Sequence, residues 1–144
     1  PVIVQTHADE GFRITAAPFI ECFTPRTRGV VITSPGNPTG ALMAELELAL
    51  LAEEAARRGI WIVLDLCYEK LIYDPTPHNL PAVLARTNPD RSVVCGSASK
   101  AYAMTGWRCG WTIAPKEVIA ASNALQSHST SNASSISQAA ARTW

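Results

Sequence analysis

The sequence predicts an α/β fold in which helices cover a mostly parallel sheet, and three consecutive segments carry that expectation. Gly29-Val-Val-Ile-Thr33 is a short β-branched run, residues 44–58 repeat apolar side chains at helical spacing, and Ile60-Trp-Ile-Val-Leu64 is a continuous apolar run of strand length. Strand, helix and strand in this order form a βαβ unit, whose strands lie parallel because a helical crossover joins them. The 60–64 run has no polar alternation, the pattern of a strand covered on both faces, so a three-layer sandwich is expected.

The first 28 residues lead in with a strand at Val2-Ile-Val4 and a helix within the stretch that ends at Pro25. After the first β-branched run, Ser34-Pro-Gly-Asn-Pro-Thr-Gly40 places two prolines and two glycines where no regular structure can continue. In the helix that follows, Leu48, Leu51, Ala52 and Ala55 fall at i, i+3, i+4 and i+7 and form one apolar face. Glu53 with Arg57 and Glu54 with Arg58 are i,i+4 pairs, and Gly59 is suited to the left-handed residue just past the end. The helix start is less marked, because Met43 and Ala44 are poor caps. Residues 74–90 read as a Pro- and Asn-rich connection with a short helix near 81–86. Ser92-Val-Val-Cys-Gly96 is a third strand, 108–114 a fourth, and 115–126 a helix with proline in its first turn.

Composition bounds the function. The 144 residues carry 12 Lys+Arg against 12 Asp+Glu and are 47% hydrophobic, which allows one domain with a core and excludes a disordered tail or a disulfide scaffold. Zero net charge argues against nucleic acid as a partner, since a surface that tracks phosphates needs a basic excess. No uncharged run is apolar enough to span a bilayer: the longest, 118–141, contains seven serines. No basic segment followed by an apolar core opens the sequence, so a cytoplasmic protein is expected. Cys22, Cys67, Cys95 and Cys109 are spread singly and read as reduced, buried side chains; with His7, His78 and His128 equally scattered, no metal site is expected.

In parallel α/β sheets ligands bind beyond the carboxyl ends of the strands, and here Asn37, Asp65 and Lys100 follow three successive strands. Singly, each reads first as an ordinary polar loop residue. Asp65 closes an apolar run and should be withdrawn from water, which calls for a cationic partner, either an arginine or a protonated ring nitrogen of a ligand. Tyr68, three residues on, could set a phenol beside the same ligand. Lys100 lies in the apolar, glycine-containing segment 97–110, and a partly desolvated lysine is a nucleophile able to form a Schiff base. Arg108 offers a planar fork for a phosphate, and Ser97 and Ser99 add hydroxyls. No G-x-G-x-x-G follows a strand, which disfavours a dinucleotide-binding domain.

Ser34-Pro-Gly-Asn-Pro-Thr-Gly40, Asp65-x-x-Tyr68 and Ser97-x-Ser-Lys-x7-Arg108, in this order, resemble the class I/II pyridoxal-phosphate aminotransferases of the aspartate aminotransferase fold. Gly11-Phe-Arg13, Leu125-Gln-Ser-His-Ser-Thr-Ser-Asn132 and Ser135-Ile-Ser-Gln138 are similar to its bacterial aspartate/prephenate branch. The resemblance implies that Lys100 carries pyridoxal 5′-phosphate as a Schiff base and moves the proton between the substrate α-carbon and the cofactor C4′. It implies that Asp65 pairs with the pyridinium nitrogen and that Asn37 and Tyr68 bond its phenolic oxygen. Ser97, Ser99 and Arg108 would hold the phosphate, and the Asn37–Pro38 bond would be cis. An amino group would pass from an amino acid, aspartate by resemblance, to a 2-oxo acid, 2-oxoglutarate, by a ping-pong route in a homodimer. A β-lyase or synthase of the same fold and a non-catalytic fragment are the alternatives. Leu66 stands where this branch usually has Glu, Cys67 and Cys109 where it has aliphatic residues, and Ala133 where it has Pro; none removes a cofactor contact. Residues 1–144 would form the central part of the cofactor-binding large domain, with the N-terminal segment and the C-terminal small domain absent.

Overall fold

A computed structural model describes residues 1–73 and 78–143. Helix α1 is Ala16–Glu21 and strand β1 Gly29–Thr33; α2, Glu45–Arg58, crosses over to β2, Trp61–Asp65. Leu48, Leu51, Ala52 and Ala55 are all buried, so the apolar spacing read from the sequence is the stripe by which α2 packs. The helix closes on Gly59 at φ 67°, whose N–H reaches the Ala55 and Ala56 carbonyls. Its start has no side-chain cap from Ala44; Glu45 and Glu47 occupy the first turn, where carboxylates favour the dipole. Both also hold neighbouring backbone: Glu47 Oε2 accepts from Ala16 N–H at 2.7 Å, and Glu45 Oε1 from Asn79 N–H at 2.6 Å.

The remaining elements are α3 (Leu80–Thr87), β3 (Ser92–Ser97), α4 (Ala98–Ala101), β4 (Gly110–Ile113), α5 (Lys116–Ser129) and α6 (Ser135–Ala141). The sheet runs β1-β2-β3-β4. Its first three strands are parallel, with Thr33 opposite Asp65 and Asp65 opposite Cys95, and β4 returns antiparallel with Gly110 opposite Ser97. The α/β class and the mostly parallel sheet are therefore as expected. Ile32, Ile62, Leu64 and Val94 meet Leu48 and Leu51 of α2 and Leu80, Val83 and Leu84 of α3 in one core. Asn79 caps α3, its Oδ1 accepting from Ala82 N–H at 3.1 Å.

Four local expectations change. No strand forms at 2–4, where Val2 and Ile3 are more than 70% exposed and no neighbouring strand takes up their backbone groups. In β2, Ile62 and Leu64 are fully buried while Trp61, Val63 and Asp65 are half-buried; among the described residues α2 and α3 pack together beneath one face, leaving Val31 of β1 68% exposed on the other. The four cysteines are free, as read, but half-buried. Arg57 turns to Glu54, 2.6 Å away, so Glu54 serves both Arg57 and Arg58. Positions 74–77 of the connection, and Trp144, lie outside the described residues.

Two predictions follow from local geometry. A Cβ on Gly110 would sit 2.7 Å from the Gly96 carbonyl oxygen, and one on Gly96 would run into the Trp111 ring. Gly110→Ala should therefore destabilise the protein by about 1–3 kcal/mol in urea unfolding, as overpacking does. The two arginines hold the Glu54 carboxyl at about 2, below its ordinary 4.5. Because the folded value lies below the unfolded one, the pairing stabilises the protein above pH 4.5 and that contribution is lost as pH falls toward 2. Glu54→Gln should lower thermal stability above pH 4.5, leave it near the native value at about pH 2, and so flatten the acid limb between them.

Candidate functional site

The parallel register brings the ends of β1, β2 and β3 to one rim. Ser34 N–H donates to Asp65 O at 3.1 Å and Leu66 N–H to Cys95 O at 2.8 Å, so each chain leaves its strand still tied to the next. The 34–40 loop closes on itself: Ser34 Oγ accepts from Met43 N–H at 3.0 Å, Gly36 N–H reaches Ala41 O, and Gly40, at φ 71°, reaches back to Gly36 O. Asn37–Pro38 is cis, as the resemblance implied, and so is Ser34–Pro35.

From this loop Asn37 Nδ2 donates to Tyr68 Oη at 2.9 Å, joining two predicted site residues that lie 31 positions apart. Asp65 is half-buried, and its Oδ1 accepts the Cys67 N–H at 2.8 Å. Of the two cationic partners left open by the sequence, no arginine or lysine pairs with it among the described residues. Burial, with the Asp65 carboxylate and Cys67 adding to it, raises the pKa of the Cys95 thiol opposite.

Ser97 ends β3 and caps α4, its Oγ accepting from Ser99 N–H at 3.0 Å. Lys100 lies on α4, which packs against the short turn Glu69–Leu71 that follows Tyr68. The chain then folds back: Thr105 Oγ1 donates to Ser99 O at 3.1 Å, Arg108 Nη1 to Thr105 O at 2.9 Å, and Ala98 N–H to Cys109 O at 3.1 Å. Arg108 is thereby linked to α4 through Thr105, a residue the sequence reading missed because a threonine near an arginine carries no distinguishing pattern.

One expectation is corrected. Lys100 is exposed, not partly desolvated, because the apolar residues of the segment that reach the interior are Ala98 and Met104, while Tyr102, Trp107 and Trp111 remain at the surface; Arg108 is exposed as well. No hydrogen bond among the described residues joins Lys100 directly to Asn37, Asp65 or Arg108. A cleft of about 420 Å³ opens beside Asn37 and Tyr68, walled by Leu42, Leu71 and Tyr73. The rim as a whole presents an accessible primary amine, a carboxylate that no arginine or lysine pairs with among the described residues, and hydroxyls with a guanidinium able to meet an anion.

The family model for aminotransferase class I and II matches residues 1–144. The aspartate/prephenate aminotransferase of Cereibacter sphaeroides is 42% identical over 142 residues, covering 98% of this chain and 36% of that protein. The aspartate aminotransferase of Geobacillus stearothermophilus is 42% identical over 141 residues, with the same shares. Among solved structures, the Rhizobium meliloti aspartate aminotransferase superposes with a TM-score of 0.89 at 42% identity, covering 98% of this chain and 36% of that one. The aromatic aminotransferase of Pyrococcus horikoshii gives 0.87 at 31% identity, covering 96% and 37%. The chain thus spans about 36% of the length of the curated relatives it matches.

Proposed function

The chain belongs to the aminotransferase class I and II family, and from that premise we propose that the whole protein is a pyridoxal-phosphate-dependent aminotransferase exchanging an amino group between an amino acid, aspartate first, and a 2-oxo acid such as 2-oxoglutarate. In this reading residues 1–144 belong to the cofactor-binding large domain of a cytoplasmic homodimer, and transfer runs by a ping-pong route. The observation that carries it is the placing at one strand rim of Lys100, a carboxylate that no arginine or lysine pairs with among the described residues, and a Ser97, Ser99 and Arg108 cluster. Relatives named aspartate aminotransferase support aspartate as the amino acid.

The donor set fits this cofactor. Asp65, half-buried and paired with no arginine or lysine among the described residues, is suited to hold a proton on a ring nitrogen. Asn37 Nδ2 and Tyr68 Oη, already in contact, would hydrogen-bond a phenolic oxygen. Ser97, Ser99 and Arg108 would hold the phosphate, the arginine through its fork. When bound, the cofactor supplies an aldehyde that joins to amines and a ring that accepts electrons. Lys100 Nζ would bind at that aldehyde carbon and, once displaced by the substrate amine, carry the proton to and from the substrate α-carbon. Asp65 would keep that ring nitrogen protonated.

Incubation with pyridoxal phosphate followed by borohydride reduction should leave a covalent label on the peptide that contains Lys100. Lys100→Ala should abolish the label and lower amino-group transfer by roughly 10²-fold or more. An unlabelled native protein, or a Lys100→Ala variant still labelled at that peptide, would overturn the proposal. Release of pyruvate and ammonia in place of amino-group exchange would reassign the reaction to a lyase.

A further inference from the structure

We propose that Thr105 is a positioning residue that fixes the Arg108 guanidinium relative to α4 and thereby sets how tightly a phosphate ester is held; this rests on reading Arg108 as a phosphate ligand. Helix α4 has only four residues: Ala98 O accepts from Tyr102 N–H, and the carbonyls after it lie at the helix end, where intrahelical partners run out. One of them, Ser99 O, is taken by Thr105 Oγ1 at 3.1 Å. The backbone carbonyl of the same residue accepts from Arg108 Nη1 at 2.9 Å. Thr105 therefore bridges the helix that carries Lys100 and the side chain that would meet the anion.

The path between them needs such a bridge. Ala103 and Arg108 both lie at positive φ, 54° and 50°, a region that side chains other than glycine occupy only when their surroundings hold them there. Around them Met104 is buried and its N–H donates to Ala98 O at 3.4 Å, and Trp107 N–H donates to Met104 O at 3.1 Å, but neither backbone bond reaches the arginine side chain. The Ala98 N–H to Cys109 O bond ties the far end of the loop to the start of α4 but does not touch the guanidinium. The threonine hydroxyl is the side-chain donor that joins the middle of the loop to α4. Thr105 itself is exposed, and its part is played through Arg108. Loss of the hydroxyl would loosen the arginine's aim without removing the amine at Lys100. The effect should accordingly appear in recognition of the phosphate and not of the aldehyde.

The test compares dissociation constants for pyridoxal 5′-phosphate and for pyridoxal, which lacks the phosphate, in the native protein and in Thr105→Val and Thr105→Ser. Thr105→Val should bind the phosphate ester roughly 3- to 10-fold more weakly, as expected for one lost hydrogen bond, and pyridoxal within about twofold of native. Thr105→Ser, which retains the donor, should restore ester binding. Equal weakening toward both ligands, or none toward either, would overturn the proposal, as would failure of the serine variant to recover. A thermal melt restricts the comparison to folded protein, and Thr105→Ala stands in if the valine variant unfolds. A native protein that binds the ester no better than pyridoxal would instead refute Arg108 as a phosphate ligand.

Discussion

The parallel pairing of Thr33 with Asp65 and of Asp65 with Cys95 is the constraint on which the rim depends. Side chains alternate along a strand, so a slip of one residue in β2 would turn Asp65 into the core and bring Ile62 and Leu64 out of it. Those two side chains are fully buried, and the loss of their burial, about 1.5–3 kcal/mol for each, is what holds the register. The loops inherit that order, because Ser34 and Leu66 continue the ladder one step past the strands that precede them.

A second layer of control lies in α2. Its first turn sends two carboxylates to backbone N–H groups of other segments, Glu47 to the start of α1 and Glu45 to the residue that caps α3. Negative charge near a helix start is ordinarily a local matter. Here the same two side chains also order the elements on either side of α2, so the helix that crosses between β1 and β2 also ties together the layer beneath the sheet. The neutral balance of the chain fits this use of charge: carboxylates are spent inside the fold on peptide groups, while Lys100 and Arg108 stay exposed at the rim.

Features fixed by short-range chemistry were legible in the sequence. The stripe of α2 and its Gly59 terminus, the three parallel strands and the return strand could be read because spacing, β-branching and a left-handed glycine act within a few residues. Asn37, Asp65, Tyr68 and Lys100 were legible as candidates because strand ends in a parallel sheet share a rim. Exposure was harder to read. The 60–64 run looked like a strand covered twice, yet its burial alternates, since coverage depends on where distant helices settle. Lys100 looked desolvated from its apolar neighbours, but Ala98 and Met104 turn inward without it. Helix α4 is too short to produce a periodic pattern, and the Thr105 bridge depends on a chain reversal through two positive-φ residues that are not glycine.

The hydrogen bonds at the rim close loops of very different length. Ser97 to Ser99, Ser99 to Thr105 and Thr105 to Arg108 span two, six and three positions, whereas Asn37 to Tyr68 spans 31. Closing the longer loop costs about 1.5 kcal/mol more chain entropy than closing the six-residue one. The hydrogen bonds around Ser97, Thr105 and Arg108 can therefore close within nearby chain, while the Asn37–Tyr68 bond needs β1 docked beside β2. That long-range bond is the one more exposed to any loosening of the sheet.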